Sequence, residues 1–137
     1  MDPAERIRSV TDPGGITILV VDDEPDGRAV VADMLREAGY SVLEASSGPE
    51  ALDIGARHPG DIRLLLTDLI MPGMTGRMLA DALGANRPGM AVIFMSGHVD
   101  DSRQAAREPG LHYLRKPIDW EKLESMVRDL IEKRTGP

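Results

Sequence analysis

Five short apolar runs divide the chain, and each gives way to a polar or charged group: Ile16 to Val21, Tyr40 to Ala45, Arg63 to Thr67, Met90 to Met95 and Leu111 to Arg115. Apolar residues at consecutive positions suit strands of a parallel sheet covered on both faces. Between the runs the apolar spacing turns helical. Pro25 suits a first helical turn. Val30, Val31, Met34, Leu35 and Ala38 then recur along one face, and Gly39 ends the helix. Ser47 with Glu50 three residues on forms a capping box for a second helix, carried by Leu52 and Ile54. Thr75-Gly76 opens a third, with Met78, Leu79, Ala82 and Leu83 on one face, and Arg87-Pro88-Gly89 breaks it. Asp100 or Asp101 could cap a fourth running towards Arg107. That helix is poor, with only Val99, Ala105 and Ala106 for apolar contacts. Asp119 caps the last helix, where Leu123, Met126, Val127, Leu130 and Ile131 make the cleanest stripe in the chain.

Strand and helix thus alternate five times without an internal sequence repeat. Short βαβ units with right-handed crossovers predict an α/β fold in three layers, a (βα)5 sandwich around a parallel sheet. The expected strand order is the flavodoxin-like 2-1-3-4-5. Residues 1–15, ending in Asp12-Pro13-Gly14-Gly15, read as a flexible lead-in, 16–133 as one domain and 134–137 as a tail. A chain of 137 residues is one domain's worth and can bury a sizeable core without metals or disulfides.

Composition narrows the partners. A formal net charge of -7 disfavours nucleic acid and anionic membrane, which both call for a basic surface. There is no Cys, which excludes disulfides and thiolate zinc sites and fits a reducing compartment. No apolar run approaches the roughly 20 residues that span a bilayer. Residues 1–15 carry charges, Pro and Gly but no apolar core of a signal peptide. The expected location is cytoplasmic.

The chemistry gathers where the strands stop. Asp22 and Asp23 follow the first strand, Asp68 the third, Ser96 the fourth and Lys116 the fifth. In a parallel sheet these carboxyl ends share one edge, where open α/β sheets place their ligands. Two carboxylates about 4 Å apart repel by roughly 4 kcal/mol at an effective dielectric near 20. They therefore need a cation or must bind protons. Lys116 supplies one positive charge. A hard divalent ion supplies more, and Mg2+ favours a few carboxylates, waters and a phosphate oxygen. With no His or Cys at the other strand ends, zinc does not fit. A carboxylate nucleophile, Mg2+, a lysine and a hydroxyl are the parts of phosphoryl transfer onto Asp. Each residue also has a plain reading. Asp22-Asp23-Glu24 could merely complement a helix dipole, Ser96 could be a turn hydroxyl, Lys116 a surface lysine, Tyr113 packing and His98 a solvated loop residue.

The ordered set of motifs weighs against those plain readings. Ile18-Leu19-Val20-Val21-Asp22-Asp23-Glu24, Leu66-Thr67-Asp68-Leu69-Ile70-Met71-Pro72-Gly73-Met74-Thr75-Gly76, Met95-Ser96-Gly97 and Leu114-Arg115-Lys116-Pro117 fall one after another at strand ends. From Ile16 to Lys133 the chain resembles the receiver domain of two-component response regulators, most closely in wording the receivers of hybrid histidine kinases. The resemblance implies a phosphorelay module, not an enzyme with an external substrate. Asp68 would be the phosphoacceptor. Asp23, Asp68 and the backbone carbonyl of Ile70 would ligate Mg2+, with Asp22 acting through water. Lys116 would pair with a phosphoryl oxygen, and the Lys116-Pro117 bond would be cis. Ser96 and Tyr113 would be the switch hydroxyl and switch aromatic. The implied partners are a histidine kinase or a histidine phosphotransfer domain upstream, and a protein partner or fused domain downstream. Two departures stand out. The segment between Ser96 and Lys116 is slightly short with a weak helix, and Ile70 and His98 flank the site where they bear on water's access.

Other readings make different demands. A phosphorylation-independent interaction domain would not need the acid cluster. A haloacid-dehalogenase-like phosphatase places its nucleophile after the first strand with a second Asp two residues later, whereas Asp22 and Asp23 are adjacent and Glu24-Pro25 follows. A flavodoxin-like cofactor binder would need a phosphate-cradling loop after strand 1.

Overall fold

The computed structural model describes residues 15–97 and 111–135. The expected fourth helix and His98 lie outside the described residues, as does nearly all of the expected lead-in. Five strands, β1 (Thr17–Val21), β2 (Ser41–Ala45), β3 (Leu64–Asp68), β4 (Ala91–Ser96) and β5 (His112–Arg115), form one parallel sheet in the order β2-β1-β3-β4-β5. The described helices are α1 (Pro25–Glu37), α2 (Gly48–Arg57), α3 (Gly76–Asn86) and α4 (Trp120–Thr135).

Alternation along each strand sends successive side chains to opposite faces. Ile18 and Val20 of β1, Leu64 and Leu66 of β3, and Ile93 and Met95 of β4 meet Val31 and Leu35 of α1 and Leu123, Val127 and Ile131 of α4. Leu19, Val21 and Leu65 face the other way, onto Ala51 of α2 and Leu79 and Leu83 of α3. All five residues of β3 are buried, as a central strand with helices on both sides requires.

Local signals behave as their chemistry directs. α1 starts at Pro25 and ends in a Schellman turn: Gly39 at φ 101 donates to Arg36, and Tyr40 to Leu35. Ser47 caps Glu50 N–H at 3.2 Å, while the Glu50 carboxylate accepts from Ser46 N–H at 2.7 Å rather than from the cap residue itself. The Asp119 carboxylate accepts from the N–H groups of Glu121 and Lys122.

Several expectations need correction, and β1, β2, β4 and β5 each begin one residue later than expected, at Thr17, Ser41, Ala91 and His112, with β4 running on to Ser96. β3 runs from Leu64, not Arg63, and takes Asp68 as its last residue. Val30 and Met78 are 52% and 53% exposed, because the buried stripes centre on Val31 and Leu35 in α1 and on Leu79 and Leu83 in α3. In α2 the fully buried line is Gly48, Ala51 and Gly55, with Leu52 and Ile54 half-buried at its flanks. Gly55 faces Leu83, whose side chain would meet any Cβ there, so the small residues let α2 and α3 close on each other.

Candidate functional site

Sheet order brings the strand ends of β1, β3, β4 and β5 to one rim, with β3 in the middle. Asp68 closes β3 and is 8% exposed; Asp22, just past β1, is 1% exposed; Asp23 is exposed. Carboxylate oxygens of Asp22, Asp23 and Asp68 lie within 4.8 Å of one another. Lys116 Nζ donates to Asp22 Oδ2 at 2.8 Å and to Asp68 Oδ2 at 3.3 Å. Its backbone N–H is tied to the Ser96 carbonyl at 2.7 Å, which joins the ends of β4 and β5. The Lys116-Pro117 bond is cis, as the resemblance implied. Ser96 ends β4 and is buried, 2% exposed.

Two of the three carboxylates thus share the Lys116 ammonium, which sits closer to Asp22 than to Asp68. Burial pushes the Asp68 carboxyl above the usual carboxylate range; Lys116 opposes this, while the charges of Asp22 and Asp23 add to it. For Lys116, burial works against the ammonium. Its hydrogen bond to Asp22 and the charges of Asp68 and Asp22 outweigh that and hold it above the ordinary lysine value. Both groups are thus raised, Asp68 chiefly by its burial and Lys116 by its hydrogen bond to Asp22 and the charges beside it. An all-oxygen, net-negative cluster of this kind suits a hard divalent cation such as Mg2+.

The loop after Asp68 is held tightly. Gly76 N–H donates to the Leu69 carbonyl at 2.9 Å, and a Cβ on Gly76 would overlap the Asp68 carbonyl oxygen. Ile70, in that loop, has a side chain 52% exposed. Tyr113 lies on β5 opposite Phe94, its ring stacked at 5.3 Å between centroids, and its hydroxyl accepts from Arg77 Nη2 at 3.0 Å. Beside the acids, Val30, Met34, Met95 and Ile118 line a cleft of about 250 Å³ that reaches Asp22 and Lys116.

Two arginines escape a reading of the sequence alone. Arg77 stands next to Gly76 at the start of α3 and reaches the hydroxyl of Tyr113, 36 residues away. No local signal announces that contact. Arg28 donates to the main-chain carbonyl of Asp22 at 2.8 Å and to Glu44 at 3.3 Å. Its place one turn into a helix that begins at Pro25 could have flagged it, since that turn overhangs the end of β1.

A doubly wound α/β domain with an acid cluster and a lysine at its sheet edge is the class defined by these features. A family model described as the response regulator receiver domain matches residues 18–128, and the chain belongs to that family. It is 32% identical over 133 residues to the sensor kinase CckA of Brucella abortus, covering 95% of this chain and 14% of that one. It is 33% identical over 118 residues to the transcriptional regulatory protein GlrR of Escherichia coli, covering 85% of this chain and 26% of that one. The chain therefore spans only a minor part of these relatives. Among solved structures, the receiver domain of the hybrid histidine kinase CckA is 39% identical with a TM-score of 0.72, covering 84% of this chain and 98% of that one. A receiver domain protein from Clostridium thermocellum is 32% identical with a TM-score of 0.78, covering 88% and 97%. The chain is thus a receiver domain of two-component signalling. No described helix is long and apolar enough to cross a membrane.

Proposed function

We propose that the chain is a phosphoacceptor module, with Asp68 receiving a phosphoryl group from a phosphohistidine of a histidine kinase or phosphotransfer protein. An Asp68 carboxylate oxygen attacks phosphorus in line, the P–N bond breaks, and the imidazole leaves with its electron pair. The product is an acyl phosphate on Asp68. Lys116 lies within hydrogen-bond reach of Asp68 and neutralises a phosphoryl oxygen as charge builds. Asp23, Asp68 and the Ile70 carbonyl would hold Mg2+, with Asp22 one step removed through water. When bound, that ion offsets the charge of the carboxylates and of the transferring group. Ser96, at the neighbouring strand end, donates its hydroxyl to the new phosphoryl group. Tyr113 follows it as the aromatic switch, and the shifted population is read by a protein partner or fused domain. The absence of Cys agrees with a cytoplasmic setting.

One observation carries this reading: Lys116 Nζ stands 3.3 Å from Asp68 Oδ2, with Asp22 and Asp23 at the same rim. Incubation with Mg2+ and acetyl phosphate should add one phosphoryl group, seen by intact-mass spectrometry, and Asp68→Asn should abolish it. Unlabelled wild-type protein under those conditions, or sustained turnover of a phosphate ester, would overturn the proposal.

A further inference from the structure

The guanidinium of Arg28 spans two partners, one on β2 and one just past the end of β1. Its side chain is 19% exposed, and its Nη1 donates at 2.8 Å to the main-chain carbonyl of Asp22, not to a carboxylate of the cluster. Its Nε holds Glu44 Oε1 on β2 at 3.3 Å, and Arg36 holds the other Glu44 oxygen at 3.0 Å. Glu44 is therefore a bracket on the edge strand, with Arg28 stretched from it to the turn after β1.

That carbonyl belongs to the peptide joining Asp22 to Asp23. The strand pairing of β1 ends at Val21, opposite Ala45 on one side and Thr67 on the other. Asp22 N–H still reaches the Ala45 carbonyl at 3.2 Å, and Asp22 Oδ1 accepts from Glu24 N–H at 3.0 Å. These bonds secure Asp22 and Glu24. The plane of the intervening peptide is set at its carbonyl by Arg28. Turning that plane would swing the Cα–Cβ bond of Asp23, the exposed acid of the three.

We infer that Arg28, braced by Glu44, is a positioning residue that aims the Asp23 carboxylate into the acid cluster through the Asp22 carbonyl. The inference rests on the reading of this cluster as a Mg2+ site. It predicts a sign that electrostatics alone would reverse. Removing a cation that touches the Asp22 carbonyl, next to the acid cluster, should strengthen Mg2+ binding through the field. Losing the aim of Asp23 should weaken it. Outer-shell partners of metal ligands are typically worth about 10- to 100-fold in affinity.

The test is Mg2+ titration of the full chain by calorimetry, for wild type, Arg28→Ala and Arg28→Lys. Arg28→Ala should bind about tenfold more weakly, the low end of that range. Arg28→Lys keeps the charge, but one ammonium on a flexible stem cannot span both the carbonyl and Glu44, so it should also bind more weakly, by about threefold. Metal-free thermal unfolding of each variant reports general damage separately, and a midpoint close to wild type is expected because the buried cores do not include Arg28. A large drop in that midpoint alongside weaker binding would assign the loss to general structural damage, and that outcome overturns the inference. So does equal or tighter Mg2+ binding by Arg28→Lys, which serves if Arg28→Ala does not fold. A wild-type chain that binds no Mg2+ would overturn the site reading together with the inference. A wild-type chain that binds while both variants match it overturns the inference alone.

Discussion

Asp68 is a buried carboxylate that weakens the fold wherever it is charged. It is buried, its pKa is raised, and the lysine it shares is nearer to Asp22. A carboxyl whose folded pKa lies above its unfolded value binds protons more readily when folded. Its contribution is therefore fully present below the unfolded value and is lost as pH rises through the folded one. Asp68→Asn keeps the shape and removes the charge. In metal-free solution at neutral pH it should stabilise the fold, because it removes a charge that burial disfavours first and the charges of Asp22 and Asp23 disfavour further. Urea unfolding curves measure this. The advantage should shrink as pH is lowered towards the ordinary carboxylate range, since the wild-type charge is then titrated away. A destabilised Asn variant would show that Lys116 compensates Asp68 fully.

Among the elements, the tightest tolerance is between β3 and the start of α3. Gly76 is buried against the backbone of Asp68 and Leu69, and Thr75 caps α3 by accepting from Met78 N–H at 3.2 Å. Gly76→Ala ordinarily favours a helix. Here the added methyl meets a carbonyl oxygen that cannot move without moving Asp68. The substitution should cost about 1–3 kcal/mol, as overpacking does. It should also slow labelling at Asp68. Thermal unfolding and acetyl phosphate labelling of the same sample check both. Arg87 shows the same economy at the other end of α3. Its guanidinium donates to the carbonyls of Gly55, His58 and Gly60, which closes the exit of α2 against α3.

At the scale of the whole molecule, the rim is a common anchor for β1, β3 and β5, whose ends are linked by Lys116 to Asp22 and Asp68. A cation held there binds only the folded chain, because the three acids meet only in the sheet. Mg2+ at about 100 times its dissociation constant should then add about 2.7 kcal/mol to stability. For a chain of this size that is an upward shift in Tm of several degrees. Differential scanning calorimetry should show the shift in wild type and its loss in Asp23→Asn. An equal shift in the variant would place the ion elsewhere.

Periodicity and punctuation determined the elements. Consecutive apolar residues at 64–66, the Pro25 start, the Gly39 stop and the Ser47 cap act within a few residues, so they are written locally. The residues at the rim were legible in position too, because a polar group at the end of an apolar strand is conspicuous: Asp22, Asp68, Ser96 and Lys116 all stand at or just past strand ends. Only the folded chain decided how the charges are shared. That Lys116 leans to Asp22, that Val30 and Met78 turn outward and that Arg28 grips the Asp22 carbonyl all depend on distances between segments far apart along the chain. Hydrogen bonds and Coulomb forces are settled over a few ångströms, and no pattern along the chain states which groups the sheet will bring that close.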